Sequence, residues 1–350
     1  MAERIAAKNM KRIGFLWDEI TDFKNLCQAV KNAARGKKKK QEILEFLFRQ
    51  EYEVLALQRE MKEGLYLPQK YHIFYIQDPK RRKICAPRFR DRVVHHAICQ
   101  VMGTVLEKSF IYDTYACRKD KGTHRAIHRA QNFSRKFTFY LKSDVEKFFD
   151  TIDHAILKNL LLKKIKDRQL LSLLFLIIDT APTEVKGKGL PLGNLTSQYF
   201  ANLYLNPLDH WIKETLGIPG YVRYMDDVVL FDQDKKKLHN VRTDMEHFLQ
   251  DSLAIRLKAN ATFLHPTWQG IPFLGFRVFP GLLKLQREAW RRFCHKIRKR
   301  RIQLASREIE LPEFVCSVES LIGHIKQGNT WNLRKYFLEK YCLDFENRVL

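Results

Sequence analysis

The chain has 350 residues, 45% of them hydrophobic and 12% aromatic, enough for a sizeable core shared among two or three subdomains. Its 63 lysines and arginines against 39 acids leave a formal charge of +24, a self-repulsion that calls for a polyanion, nucleic acid before anionic membrane. The longest apolar run, 170–178, is broken by Ser172 and too short for a bilayer span, the first residues lack a signal-peptide core, and seven cysteines without a Cys-x-x-Cys pair exclude a disulfide framework or zinc module, so the expected setting is reducing and cytoplasmic, without a membrane partner.

Residues 1–65 are helical in period and strongly charged, and the four-lysine run at 37–40 reads either as a solvated loop or as a phosphate contact. Between 41 and 64 apolar residues recur at helical spacing (Ile43, Leu44, Leu47, Phe48, Leu55, Met61), and Gly64 is placed to end one helix. Residues 71–77 alternate as a strand does, and Asp78-Pro79 breaks it. The next stretch, 80–92, interleaves lysines and arginines with Ile84 and Phe89, a strand-turn-strand suited to gripping a triphosphate or a phosphate backbone. Residues 93–106 read as a buried helix. Around Gly122, Tyr112, Tyr115, Arg118, Lys119 and Lys121 offer stacking and phosphate contacts to a single strand. His124 and His128 have the spacing of helical metal ligands but no third ligand nearby, so a surface pair is expected.

Residues 137–144 form a strand that ends on Asp144, placed to reach a neighbouring hairpin, while Asp150 and Asp153 lie where acids cap helices. Residues 155–180 are helical, and 181–189 read as a mobile linker. In the block 189–198, Pro191 and Gly193 set a rigid turn, Thr196 and Ser197 are placed to cap the next helix, and the bare backbone of Gly193 admits a base or nucleotide. The chain is organised around 221–231, Tyr-Val-Arg-Tyr-Met-Asp-Asp-Val-Val-Leu-Phe, a hairpin with Asp226 and Asp227 at or beside its turn. Paired aspartates are ordinary turn chemistry. At the edge of a buried sheet, however, they require a cation between them, and Mg²⁺ both prefers oxygen ligands and shares them with substrate phosphates. Asp144 is the third carboxylate of this set. Farther on, 238–253 is an amphipathic helix and 270–279 a second hairpin. Residues 290–304 place Trp290, Phe293, Ile297 and Leu304 on one helical face and basic residues around the rest, as for a helix following a nucleic-acid groove or lying on a membrane.

With these segments in order, the chain resembles reverse transcriptases over nearly its whole length. The tetrad Tyr224-Met225-Asp226-Asp227, the strand ending at Asp144, the block Gly193-Asn194-Leu195-Thr196-Ser197 and the hairpin Phe273-Leu274-Gly275 occur in that family's order. The resemblance implies an α+β right-hand polymerase: fingers with the N-terminal helices in 1–136, a palm with an antiparallel sheet in 137–280, and a helical thumb in 281–350. Within the family the chain is most similar to enzymes of diversity-generating retroelements, through the aliphatic Leu192 before Gly193, Gln198 after Ser197, and the segments Asp91-Arg92-Val93-Val94-His95-His96-Ala97 and Tyr115-Ala116-Cys117-Arg118. The alternatives are another bacterial reverse transcriptase of retron or defence type, or a non-catalytic RNA-binding scaffold with the same fold.

The resemblance implies RNA-directed DNA synthesis with two Mg²⁺ ions, Mn²⁺ being a substitute, held by Asp144, Asp226 and Asp227, with Val145 in the same set. It puts Arg82, Lys83, Phe149, Leu192, Gly193 and Gln198 at the incoming deoxynucleoside triphosphate, Phe149 as the gate against a 2′-hydroxyl. It puts Arg92, Arg118, Lys119, Tyr224, Gly275, Arg291 and Lys299 along the template RNA and the cDNA/RNA heteroduplex. It also implies error-prone copying at template adenines and a small basic oligomeric accessory protein as partner. Many relatives carry a lysine proposed to protonate the leaving pyrophosphate; this chain has Ala261 there, and the sequence leaves open whether nearby Lys258 replaces it.

Overall fold

Helix signals in the first part of the chain are chemical as well as periodic. The computed structural model describes residues 12–77 and 81–341. Helix α1 (Trp17–Thr21) runs into α2 (Phe23–Ala34), whose cap Asp22 accepts hydrogen bonds from the Lys24 and Asn25 amides at 2.8 and 3.2 Å. Helices α3 (Gln41–Phe48) and α4 (Gln50–Glu63) follow, and Gly64 ends α4 with φ 72°. The single helix expected over 41–64 is therefore two. The chain bends at Arg49, and the buried stripe passes to Ile43, Phe46, Val54, Leu57 and Met61, leaving Leu44, Leu55 and Phe48 exposed, the last by 90%. The expected break at Asp78-Pro79, Lys80, Cys342 and the first residues of the helical N-terminal stretch lie outside the described residues.

The remaining elements are β1 (His72–Gln77), β2 (Arg81–Ala86), α5 (Phe89–Glu107), α6 (Thr123–Lys136), β3 (Phe139–Ser143), α7 (Phe148–Thr151), α8 (His154–Lys164), α9 (Arg168–Asp179) and α10 (Leu195–His210). They continue with β4 (Gly220–Tyr224), β5 (Asp227–Asp232), α11 (Lys235–Leu253), β6 (Phe263–Pro266), β7 (Ile271–Phe273), β8 (Phe276–Val278), β9 (Leu283–Leu285), α12 (Arg287–Ala305), α13 (Leu311–Ile325) and α14 (Trp331–Tyr341). These helices and antiparallel sheets make an α+β architecture. Among the described residues no helix is long and apolar enough to cross a membrane.

The chain forms two compact units that interleave in sequence: one takes residues up to 117, 145–217 and 243–258, the other 118–144, 218–242 and 259 onward. The interleaving arises because β3 pairs with strands far along the chain. In the first unit, α2 and α10 pack on α5, and β1 and β2 form an antiparallel ribbon. The stretch 181–189, expected to be mobile, is pinned: His154 donates to Gly187 O at 2.9 Å, Gly189 to Ile152 O at 2.7 Å, and Leu190 to Phe149 O at 2.6 Å. The expected Thr/Ser cap of α10 is absent, since Asn194 holds the cap position, Thr196 Oγ1 lies 3.2 Å from His95 Nδ1, and Ser197 is buried. Asp153 does cap α8, as expected, through the Ala155 and Ile156 amides.

The second unit is built on a four-stranded antiparallel sheet in the order β4-β5-β3-β6. Helix α6 packs on β4 and β5, with the Phe133 ring 5.5 Å from that of Phe231. Beyond it, β7, β8 and β9 form a second sheet, and Phe293, Ile297, Ile325 and Phe337 make a core among the last helices.

Candidate active site

The pleat of the sheet assembles the acids. Tyr224 faces Asp227 as the last pair of the β4-β5 hairpin, so Met225 and Asp226 are its two-residue turn. Ser143 opposes Val228 and Lys142 opposes Val229, which puts Lys142 and Asp227 on one face as a diagonal pair. Asp144 follows β3 directly. Lys142 Nζ forms an ion pair with Asp227 Oδ1, and the Asp226 carboxyl hydrogen-bonds that of Asp144. The three expected carboxylates thus fall in one unit, but in two partnerships: Asp144 with Asp226, and Asp227 with a lysine.

Electrostatics separates the two. Burial, and then the neighbouring Asp144 charge, raises Asp226 well above the usual carboxylate range. Burial also lifts Asp227, while Lys142 pulls it back, leaving it at about 6. Among the described residues no three His, Cys, Asp or Glu side chains stand close enough together to hold a metal ion by themselves. The Asp144–Asp226 pair nevertheless fits a divalent cation chemically. Two hydrogen-bonded acids, one of them raised by burial and by the other's charge, are an arrangement that a hard cation can join, its other ligands being water and substrate phosphate.

This has a consequence for stability. The folded protein holds protons on Asp226 and Asp227 that the unfolded chain, with carboxyls near 3.8, has released. Their contribution to stability is full below pH 3.8 and is lost as pH rises through about 6 and beyond. Metal-free protein should therefore show a falling melting temperature between pH 5 and pH 7.5. Added Mg²⁺ should restore it at pH 7.5 and do little at pH 5, and Asp226→Asn should flatten both responses. A thermal melt series with and without chelator reads this directly.

Sequence reasoning passed over Arg223. Its side chain is 0% exposed, and its guanidinium donates to Met225 O at 3.0 Å. Met225 sits at φ 54°, a left-handed conformation that a non-glycine residue adopts at a cost. The arginine thus holds the strained turn from which Asp226 projects. The signal was there, since an arginine flanked by Val222 and Tyr224 in a buried strand needs a partner. Arg223→Met should lower stability by about 1.5–3 kcal/mol, the range for a lost bond to a charged group, measured by urea unfolding; Arg223→Lys should lose less.

The nucleotide-site candidates lie in the first unit, apart from this sheet in the chain's division. Arg82 and Lys83 are adjacent on β2, so they point to opposite faces of the ribbon; Arg82 pairs with Ile76 and Lys83 with Tyr75. The pleat thus gives the two cations expected at the triphosphate different surroundings. Arg82 is exposed on its face, whereas Lys83 shares the other with Tyr75, over which Arg81 stacks at 4.3 Å. Gly193 makes a close approach of another kind. It has φ 124°, and a Cβ there would lie 2.6 Å from Cys85 O, so the bare backbone accommodates β2. Leu192 O accepts from Cys85 N at 2.8 Å at the same junction. Gln198 is exposed and accepts from Cys117 Sγ at 3.1 Å. Of the adjacent aromatics, Phe148 is the core residue at 2% exposure, and Phe149 is half-buried with its ring 5.6 Å away. Val145 is buried and bridges Leu257.

The nucleic-acid candidates divide. Arg291 and Lys299 are exposed on α12, and Lys119 is exposed while Arg118 is half-buried. Gly275, with Leu274, makes the two-residue turn between β7 and β8 at φ 87° and 49°. Arg92 is half-buried, its guanidinium donating to Ala33 O and stacking over Phe89 at 5.4 Å, so it also helps pack α2 on α5. The Tyr224 hydroxyl lies 3.2 Å from Thr123 Oγ1. His124 is half-buried, its ring stacked on His324 with the ring nitrogens 3.2 Å apart, while His128 is exposed. Lys258 is half-buried, and Ala261 ends a short 3₁₀ turn.

Comparison with known proteins bears on the family. Residues 76–278 match the family model described as reverse transcriptase (RNA-dependent DNA polymerase). Protein YkfC of Escherichia coli (strain K12) is 24% identical over 270 residues, covering 65% of this chain and 71% of YkfC. Group II intron-encoded protein LtrA of Lactococcus lactis subsp. cremoris is 25% identical over 172 residues, 47% of this chain and 29% of LtrA. The putative COX1/OXI3 intron 2 protein of Saccharomyces cerevisiae is 20% identical over 250 residues, 54% of this chain and 29% of that protein. The family match spans more than half of the chain and contains all three acids, the hairpin and the 189–198 block, so the chain belongs to the reverse transcriptase family of RNA-dependent DNA polymerases.

Proposed function

We propose that the chain makes cDNA on an RNA template as the reverse transcriptase of a diversity-generating retroelement. The observation that carries the polymerase reading is the hydrogen-bonded Asp144–Asp226 pair, in which burial and the neighbouring Asp144 charge raise Asp226 and call for a cation. In this reading Asp144, Asp226 and, secondarily, Asp227 hold two Mg²⁺ ions, which when bound supply the charge that activates a primer 3′-hydroxyl and stabilises departing pyrophosphate. Lys142 keeps Asp227 oriented on the face it shares with the reacting groups. Arg82 neutralises the triphosphate, Phe149 stacks under the sugar, and Leu192 and Gln198 border the base. Residues 1–136, 137–280 and 281–350 serve as fingers, palm and thumb, with Arg291 and Lys299 on the heteroduplex. Lys258 stands in for the proton donor missing at Ala261.

The retroelement assignment is supported by Leu192 before Gly193 and Gln198 after Ser197, and by the run 91–97. It brings a structured template RNA, a small basic oligomeric accessory protein and a cytoplasmic setting. The test is primer extension on RNA with and without Mg²⁺, beside Asp226→Ala, followed by cDNA sequencing. Metal-dependent extension lost in the variant supports the polymerase, and errors concentrated opposite adenine support the retroelement. Leu192→Gln with Gln198→Pro should lower those errors; an unchanged adenine error rate would remove the assigned route to infidelity. Binding of RNA with no extension, even with the accessory protein and cognate RNA supplied, would favour a non-catalytic scaffold.

A further inference from the structure

Helix α10 carries a polar stripe that grips the loop 113–117. Asp209 Oδ2 accepts from Thr114 Oγ1 at 3.1 Å, Asn202 Nδ2 donates to Ala116 O at 2.8 Å, and Gln198 Oε1 accepts from Cys117 Sγ at 3.1 Å. Positions 198, 202 and 209 share one helical face. The loop therefore runs along α10 toward its N-terminus, and its last contact is the one at the exposed end. Cys117 is held there at φ 54°, a left-handed conformation for a residue with a Cβ, with its neighbour Ala116 fully buried. Burial pushes the Cys117 thiol up to about 11, so it remains an S–H donor at neutral pH.

A glutamine carboxamide that turns freely offers either a donor or an acceptor to a nucleobase edge. One whose oxygen is already engaged offers its two Nε2 protons. We propose that Cys117 is a positioning residue for base selection: its thiol fixes the Gln198 carboxamide oxygen toward the loop, so that the amide presents donors to acceptor atoms on a base edge. The inference rests on the reading that Gln198 borders the nucleotide or template base. The loop clamps at Thr114 and Asn202 set the position of the thiol, and the thiol sets the amide.

The experiment is primer extension on a mixed-sequence RNA template with cDNA sequencing, comparing wild type with Cys117→Ala, Cys117→Ser, Gln198→Ala and the Cys117→Ala/Gln198→Ala double variant. Freeing the amide should change misincorporation opposite at least one template base about five-fold, the size of one neutral hydrogen bond. Serine restores a donor and should restore the wild-type spectrum. The double variant should match Gln198→Ala alone, since the two residues act as one unit. A Cys117→Ala spectrum like wild type, beside a changed Gln198→Ala spectrum, overturns the role of Cys117 and leaves the reading of Gln198 intact. Serine and alanine variants changed alike would make the effect one of loop packing and also overturn it. If neither Gln198→Ala nor Cys117→Ala alters the spectrum, the reading of Gln198 falls and the inference with it. Alkylation of Cys117 by iodoacetamide, followed by peptide mass mapping, gives a readout that needs no polymerisation. The rate should rise several-fold in Gln198→Ala, and equal rates would show that the thiol is not held by the amide.

Discussion

Asp226→Ala should reduce primer extension by about 1,000-fold or more, because it removes the carboxylate that hydrogen-bonds Asp144 and, in the proposed reading, one of the two principal acids for the Mg²⁺ ions. Asp227→Asn should cost less, about 10–100-fold, since Lys142 already compensates Asp227 and its part is closer to that of an orienting group. The same Asp226→Ala protein should melt higher than wild type in metal-free buffer at pH 7.5, where the like-charge pair is most costly. That second measurement separates loss of chemistry from loss of fold. Equal losses in the two variants would contradict the unequal partnership seen in the sheet.

Gly193→Ala should lower stability by about 2–4 kcal/mol, combining backbone strain at positive φ with overpacking against a neighbour that cannot yield. That neighbour is backbone, Cys85 O at 2.6 Å from the added methyl, with Ile84 Cγ2 at 3.3 Å beyond it. The methyl should also break the bond from Cys85 N to Leu192 O, which ties the ribbon to the segment before α10. Urea unfolding measures the first effect. A raised KM for deoxynucleotide, with kcat less affected, measures the second. Gly36→Ala is the control, for it shares a positive φ but meets nothing within 4 Å.

Local rules made the hairpin legible in the sequence. Two acids between β-prone runs fix a turn, and a strand ending in Asp144 fixes the third acid, because both follow from covalent neighbours. The partnerships were not legible. That Lys142 reaches Asp227 follows from a register between strands separated by the whole of 144–226, which no local pattern contains. Arg223 reads as a charge to be solvated until both faces of its strand are seen to be covered. Gly193 signalled a close approach, and only the fold shows that what approaches is β2. The opposite facing of Arg82 and Lys83, by contrast, follows from the strand period alone. The error at 41–64 came from trusting periodicity across Arg49, where a bend resets the phase of the buried stripe.

The interleaving of the two units sets an order of events during synthesis. Strand β3 leaves the ribosome long before either of its sheet neighbours exists, and it waits roughly eighty residues for β5, several seconds at about 5–20 residues per second. In that interval its edges and its apolar residues Tyr140 and Leu141 are open to other chains. The nascent protein is thus most vulnerable to aggregation between the emergence of β3 and that of β5. A pause in translation within 144–226 would lengthen this exposure, whereas one after β6 would not.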